Sequence, residues 1–270
     1  MPRSEPPAVG RIVTSRSPGG PDGDGTAFRI HTHPRREIFF TVEGTCRYLL
    51  AGKVYEAPPG TAFLIDAWEP HAFGYRREDG GLRHFWLHFA GPEEPLTAVL
   101  LRVAPGGEYR LERSPFVLPP DHRNILERRW DALARGGDFS PETVDAYMRR
   151  PLEAALDEIG FQLTYGEPGG EDPAERLSVT ESLKKYIRMS NARGCSLAHL
   201  EKVFGYSRYH LAHRFRAEAG CTIGEYIDRV RLEFTEQALK RGLKRKEIAY
   251  ELGFSSPSNF WNWLRDHRGG

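Results

Sequence analysis

The sequence lacks any apolar run long enough to cross a membrane, and it has no N-terminal apolar segment of the kind that directs secretion. Hydrophobic residues make up 39% of the 270 positions, which is enough to bury ordinary cores. A chain of this length is typical of two domains. We therefore expect a two-domain cytoplasmic protein.

Cysteine is scarce as well, with only Cys46, Cys195 and Cys221, and these are too far apart in sequence to form a close-spaced metal motif. The odd number predicts reduced, buried thiols, with redox sensing as the less favoured alternative. The chain also has neither a Ser/His/Asp nucleophile motif nor a phosphate-cradling glycine loop. These absences argue against a hydrolase and against a nucleotide-binding enzyme.

Excess charge of either sign is missing overall, because 38 Lys and Arg stand against 37 Asp and Glu, a net charge of +1. The distribution along the chain is uneven. From Arg176 onward there are 18 basic and 10 acidic residues, a net of +8, whereas the preceding part has 20 and 27, a net of −7. Only the C-terminal part is therefore suited to a polyanion such as DNA.

One pattern occurs twice in this basic part, in residues 197–215 and 248–264. Each copy has a short apolar-periodic helix, a glycine turn, a capping serine and a second helix, which is the pattern of a helix-turn-helix. Ser207 and Ser256 are the predicted caps, and Pro257 suits the first turn of its helix. The helical periodicity of residues 222–241 predicts one continuous helix of about 30 Å between the two copies.

These residues resemble the DNA-binding domain of the AraC/XylS transcription regulators. The matching text is GYSRYHLAHRFRAEAGCTIGEYIDRVRLEFTEQAL followed by IAYELGFSSPSNF. The sequence departs from the family at Trp261-Asn262-Trp263, where polar and basic residues are usual, and in lacking the glycine, proline and closing helix that usually follow. The resemblance implies a double helix-turn-helix domain over 176–270, and the departures make the second copy the weaker reader.

Helical spacing predicts which residues face DNA. If Leu211 and Phe215 face the core, Tyr209 and His213 project on the opposite side of the helix. The family resemblance implies base contacts for Tyr209 and His213, and phosphate contacts for Arg208 and Arg216. The predicted DNA-binding set is Ser207, Arg208, Tyr209, His210, Ala212, His213, Arg216, Ser256, Ser258, Asn259, Asn262 and Arg265.

The N-terminal part begins with residues 1–25, which are rich in Pro, Gly and Asp and are predicted to form a flexible tail. Residues 26–95 then change to a period of two, with Ile38, Phe40 and Val42 alternating with Glu37, Phe39 and Thr41. Glycine and proline turns punctuate this stretch, so it predicts a meander of short strands forming a sandwich or barrel.

Within this stretch, His31-Thr32-His33, Glu37 and Gly44 have the spacing of the first cupin motif, and Pro59-Gly60 with His71 is similar to the second. In metal-binding cupins the matching residues, here His31, His33, Glu37 and His71, bind one divalent ion. Such a set suits Fe, Mn, Zn or Ni. In AraC-type regulators the same barrel usually serves as an effector pocket, often without a metal. We keep both expectations.

Strand alternation also predicts the lining of an effector pocket. Leu82, His84, Trp86 and His88 share one strand face, which can line the barrel beside the preceding predicted strand. Aromatic walls with a few polar groups are typical of small-molecule sites. The predicted ligand pocket comprises His31, His33, Glu37, His71, Phe73, Tyr75, His84, Trp86 and His88.

Residues 96–165 are predicted to form a helical coupling or dimerisation segment, with a kink or break at Pro151. Its helices are candidates for dimer contacts, and packing on the barrel or on the DNA-binding domain is an equal alternative. Residues 166–175 are predicted to be an exposed linker. The expected fold class is α+β multidomain, a cupin-like β-barrel followed by an all-α domain.

Three classes of function remain. The favoured one is a ligand-responsive, sequence-specific regulator that is not an enzyme. Its expected partners are double-stranded DNA, a small-molecule effector, a second copy of the chain and, if it activates, RNA polymerase. The second class is a metal-dependent cupin enzyme, an oxygenase or isomerase, fused to a DNA-binding module. The third is a DNA-binding protein whose barrel is only a dimerisation scaffold.

Overall fold

The structure is a computed structural model that describes residues 8–18, 28, 30–74, 80–89, 94–104, 108–165 and 178–267. The chain divides into two compact units. The N-terminal unit comprises Met1–His31 and Arg35–Arg176, and the C-terminal unit comprises Leu177–Gly270 together with Thr32–Pro34. Each unit is described by itself below. None of the described helices is long and apolar enough to cross a membrane.

The N-terminal unit is built on two β-sheets. The strands are β1 (Arg11–Val13), β2 (Glu37–Glu43), β3 (Cys46–Leu50), β4 (Lys53–Ala57), β5 (Thr61–Ile65), β6 (His71–Gly74), β7 (Leu82–His88), β8 (Thr97–Ala104) and β9 (Glu108–Val117). The larger sheet has the order β1-β5-β2-β7-β8-β9, and the smaller has the order β4-β3-β6. The predicted β-rich N-terminal domain is confirmed, and its described strands pair as two sheets.

The larger sheet buries both of its faces. Ile38 and Phe40 of β2 pack in one core with Leu126 of α1 (Pro120–Gly136) and Met148 of α2 (Pro141–Thr164). Phe39, one position out of step with them, packs in a different core with residues of the smaller sheet. The period of two in the sequence therefore separates a helix-packing face from an inner face between the two sheets.

The N-terminal unit corrects three expectations and leaves a fourth untested. β8 and β9 lie inside the predicted helical segment 96–165. The sequence did not reveal β8 because Thr97–Ala104 is a nearly continuous apolar run, and strands buried on both faces often lack alternation. β1 lies inside the predicted flexible tail, where it pairs in parallel with β5. Pro151 does not break α2, which continues through it. The predicted linker 166–175 lies outside the described residues.

The C-terminal unit is helical, as predicted. Its helices are α3 (Val179–Met189), α4 (Leu197–Phe204), α5 (Arg208–Ala219), α6 (Ile223–Lys240), α7 (Arg245–Glu251) and α8 (Pro257–His267). Helices α4 and α5 form the first helix-turn-helix, and α7 and α8 form the second. The 18 residues of α6 make a rod of about 27 Å between the two pairs.

The turns of the two pairs use the same chemistry. Gly205 and Gly253 have φ values of 72° and 75°, a left-handed conformation in which a side chain would be strained. Ser207 Oγ accepts the backbone N–H of His210 at 3.3 Å, and Ser256 Oγ accepts that of Asn259 at 3.1 Å. Both predicted caps are therefore present, and they set where each reading helix begins.

Candidate nucleic-acid interface and candidate effector site

Helix α5 presents an exposed aromatic pair on the side opposite its buried residues. Leu211 and Phe215 are fully buried in the core of the C-terminal unit, whereas Tyr209 is 80% exposed. The rings of Tyr209 and His213 are stacked, with their centroids 6.0 Å apart. This pair therefore stands out from the surface in a fixed arrangement, with a phenol hydroxyl and an imidazole available to a partner.

A second stacked pair, Tyr206 and His210, lies near the start of the same helix with a centroid distance of 5.1 Å. The prediction included His210 but omitted Tyr206. The signal that points to Tyr206 is its position four residues before His210, because such spacing brings side chains together on a helical turn. Nearby, Arg208 Nε donates to Glu201 Oε2 at 2.8 Å, an exposed ion pair. Arg208 would have to exchange this partner for a phosphate.

Helix α8 differs from α5 at the corresponding face. Trp261 is exposed, and the guanidinium of Arg245 on α7 lies 4.4 Å above the centre of its ring. Asn262 and Ser258 are exposed on the same helix, and Arg265 forms an ion pair with Asp266 at 3.3 Å. A bulky stacked pair therefore occupies the face where α5 has Ala212.

Trp263 points the other way, into the C-terminal unit. Its Nε1 donates to Asp228 Oδ1 on α6 at 2.9 Å, and its ring packs on Phe254 and Phe260. His267 stacks on it and lies 3.3 Å from Asp228 Oδ2. The tryptophan that departs from the family pattern thus ties α8 to the rod, and α8 remains packed through its last described turn.

In the N-terminal unit a buried carboxylate gathers histidines from separate strands. Glu37 Oε1 lies 3.1 Å from His88 Nδ1, and its Oε2 lies 3.8 Å from His71 Nε2. The His31 ring contacts the His71 ring at a centroid distance of 4.2 Å. Within this unit, His31, Glu37 and His71 of the predicted metal set therefore meet around the His71 ring, and His88 joins them at Glu37. His33, the fourth predicted ligand, belongs to the C-terminal unit.

Rings fill the layer beside this cluster. Phe39 lies 4.9 Å from Tyr48, 5.0 Å from His84 and 5.0 Å from Trp86, measured between centroids. Phe73 also contacts Phe39 and His84. Of the predicted pocket residues, Phe73, His84 and Trp86 therefore share one interior, where their rings pack around Phe39. Tyr75 lies outside the described residues.

Three inner residues were missed by the pocket prediction: Phe39, Thr41 and Tyr48. Phe39 and Thr41 alternate in phase with Glu37, so the strand period was a signal for both. Burial raises the pKa of Tyr48 well above its ordinary value, and the charge of Glu37 adds to the effect. The hydroxyls of Thr41 and Tyr48 have no hydrogen-bond partner among the described residues. Buried hydroxyls in native proteins are usually hydrogen-bonded to protein groups or to ordered water.

Two helix-turn-helix pairs on one rod, preceded in the chain by a β-rich unit of two sheets, are the architecture of a two-domain DNA-binding regulator. Comparison with known families agrees with this architecture. The profile of the AraC-like ligand-binding domain matches residues 20–152, and a helix-turn-helix domain profile matches residues 200–269. The chain belongs to the AraC family of transcription regulators.

Individual relatives have the same kind of description. The HTH-type transcriptional regulator YfiF of Bacillus subtilis (strain 168) is 26% identical over 238 residues, covering 84% of this chain and 72% of YfiF. The probable transcription factor PqrA of Proteus vulgaris is 28% identical over 93 residues, covering 33% of this chain and 76% of PqrA. These relatives are regulators, which confirms the expectation that the chain is not an enzyme.

Among solved structures, ToxT from Vibrio cholerae O395 is similar with a TM-score of 0.29 and 15% identity, covering 87% of this chain and 85% of ToxT.

The buried histidine His84 predicts a pH dependence of stability. Burial lowers the pKa of His84 from 6.5 to about 3. Below pH 6.5 the unfolded chain binds a proton that the folded chain excludes, so the free energy of unfolding falls as the pH is lowered. From pH 7 to pH 5 this one group should remove about 2 kcal/mol. For the variant His84→Phe, the free energy of unfolding measured with urea should fall by about 2 kcal/mol less between pH 7 and pH 5 than it does for the wild type. Equal falls in the two proteins would contradict this prediction.

Proposed function

We propose that the chain is a cytoplasmic, ligand-responsive regulator that reads specific sequences in double-stranded DNA. The observation that carries this proposal is the exposed Tyr209–His213 pair on α5. Reading helices of helix-turn-helix proteins enter the major groove, where side chains reach the base edges. Its C-terminal region from Arg176 has a net charge of +8, which favours approach to phosphate.

The two reading helices contribute differently in this proposal. On α5, Tyr209 and His213 carry the hydrogen-bonding groups that distinguish bases, and Arg216 is placed on the same side for phosphate. On α8, Trp261 occupies the corresponding face under Arg245, which leaves Asn262 as the group best suited to adenine. The second helix-turn-helix therefore adds mainly backbone affinity.

The test of DNA reading is substitution of the α5 pair. We expect the double variant Tyr209→Ala, His213→Ala to lose about 10- to 100-fold in preference for a selected sequence over random DNA, because direct base contacts carry discrimination. Affinity for random DNA should change by less than about threefold. The duplex is selected from a random pool with the purified full chain, and binding is measured by fluorescence anisotropy at fixed salt.

Two matched variants sharpen this test. Arg216→Ala should weaken binding to selected and random DNA by similar factors, since a phosphate contact is made with every sequence. Asn262→Ala should change base preference less than His213→Ala does. An unchanged footprint in the Tyr209/His213 variant would overturn the assignment of base reading, and a larger effect of Asn262→Ala would reverse the ranking of the two helices.

The N-terminal unit is proposed to sense a small molecule at the polar end of its interior. Glu37, His71 and His88 meet there, and the ring of Tyr48 is stacked with that of His71 at a centroid distance of 6.5 Å. Because the aromatic layer is already filled by its own rings, the effector is expected to enter beside the histidines. Hydrogen-bonding groups on the effector would contact the polar side chains of that end.

A divalent ion at this end is part of the proposal, and the donor set fits one. Glu69 O lies 2.8 Å from His71 Nδ1, a hydrogen bond that fixes the ring and directs Nε2 towards Glu37. Metal-binding histidines are commonly oriented in this way by their second nitrogen. His31, His71 and Glu37 of this unit would hold the ion, and His33 is the fourth ligand that the cupin resemblance implies. An ion with an open position would favour an anionic effector such as a carboxylate or hydroxy acid.

Elemental analysis tests the ion. Protein purified without an affinity tag should contain about one equivalent of Fe, Mn, Zn or Ni, because three imidazoles and one carboxylate form a complete ligand set. The double variant His33→Ala, His71→Ala should contain none. Metal in the wild type that does not exceed the variant's level would reject the ion and leave the four residues as polar lining of an organic-ligand site.

Pairing of two copies through α2 completes the proposal. Tyr147, Arg150, Ala154, Asp157 and Phe161 form an exposed stripe at spacings of three and four residues. If two copies of α2 run antiparallel about Ala154, each Arg150 lies opposite the other copy's Asp157, and each Tyr147 lies opposite Phe161. Among the described residues neither Arg150 nor Asp157 has an ion-pair partner. The small Ala154 permits close approach at the two-fold axis.

Charge reversal tests this pairing. Arg150→Asp places acidic residues opposite each other, so we expect the dimer to dissociate about tenfold more readily in sedimentation velocity. The double variant Arg150→Asp, Asp157→Arg restores opposite charges and should return to within about threefold of the wild type. Equal weakening in the single and double variants, or a monomeric wild type, would contradict the pairing.

A further inference from the structure

The DNA-facing side of α5 contains an apolar groove. It has a volume of about 380 Å³ and lies between α5, the start of α4 and the start of α6. Its apolar part is formed by Leu197, Ala212 and Ile223, and its rim carries Tyr209, His213 and Arg216. An apolar concavity is unexpected on a face whose other members are polar, and Leu197 is 39% exposed there.

The second helix-turn-helix has this space filled. A shift of 49 positions aligns Ala212 with Trp261, so an indole ring stands where the first pair has a methyl group. Arg245 covers that ring at 4.4 Å. The groove therefore belongs to the first helix-turn-helix, where residue 212 is small and the start of α6 supplies a further wall.

The occupant follows from the chemistry of the major groove. Base edges there present hydrogen-bond donors and acceptors, and the C5-methyl group of thymine is their one apolar feature. We propose that the groove over Ala212 receives the C5-methyl of a thymine, making α5 a reader of thymine at one or two positions. This inference rests on the proposed function, because it needs α5 to enter the major groove.

On this face of α5, base recognition then combines polar contacts with an apolar contact. The hydroxyl of Tyr209 and the imidazole of His213 recognise polar base edges, while Leu197 and Ala212 recognise a methyl by removing it from water. Burial of one methyl is worth about a fourfold change in affinity. The groove thus adds discrimination between thymine and cytosine, whose edges differ in this methyl as well as in polarity.

The test is replacement of single thymines by uracil in the duplex that the full chain selects from a random pool. Uracil lacks the C5-methyl and keeps the base-pairing groups, so it isolates the apolar contact. For the wild-type chain we expect a three- to tenfold rise in Kd at one or two positions in the half of the site bound by the first helix-turn-helix. In the other half the change should stay below about twofold, because Trp261 fills the space.

Matched alanine variants identify the groove. Ala212→Leu should shrink the uracil effect below about twofold by occupying the space. Ala217→Leu adds the same side chain at an exposed position of α5 that does not line the groove, and it should keep the effect. Circular dichroism checks that both variants fold. The comparison of thymine and uracil duplexes with the wild-type chain does not depend on either variant.

The outcomes separate this inference from the proposed function. A wild-type chain that binds thymine and uracil duplexes within twofold at every position, while still selecting a sequence, overturns the methyl contact alone. If the rise in Kd on uracil replacement persists in Ala212→Leu, the methyl contact is also overturned. A chain that selects no sequence at all overturns the proposed function and the methyl contact together.

Discussion

The N-terminal unit depends on how the carboxylate of Glu37 is compensated, because this group is only 3% exposed. Taking a carboxylate out of water is costly unless charges or hydrogen bonds replace the water. His88 is its cross-strand neighbour in β7, and His71 comes from the smaller sheet. The pairing of β2 with β7 and the position of β6 therefore meet at one side chain, which links the fold of this unit to the chemistry of its sensor end.

The period of two revealed both faces of the larger sheet but not its extent. Ile38 and Phe40 against Phe39 were readable as alternation, so the strands from β2 to β7 were predictable. Val99, Leu100 and Leu101 of β8 are all buried, and a strand buried on both faces loses the alternation that marks it. β1 has only three residues and is stabilised by its pairing with β5. This tertiary interaction could not be predicted from the surrounding polar, glycine-rich sequence.

The site followed the same division. His31 and Glu37 were expected from the resemblance to the first cupin motif, and His88 was expected from the alternation of its strand. Tyr48 was not, because only the packing of the smaller sheet against the larger one brings its ring to 4.9 Å from Phe39. In the C-terminal unit the local signals were complete: glycine turns and serine caps are short-range devices, and both helix-turn-helix pairs have them where the sequence predicted.

The two copies also show how one motif acquires two uses. Their inward residues are equivalent, since Leu211 and Phe215 have Phe260 and Leu264 as counterparts and all four are buried. Their outward residues lie outside that core and differ, with Ala212 aligned to Trp261 and His213 aligned to Asn262. Trp263 turns inward to Asp228, which joins α8 to the rod by a side-chain hydrogen bond. In the proposed function, α8, with Trp261 covered by Arg245, contacts the DNA backbone, and the open face of α5 reads the bases.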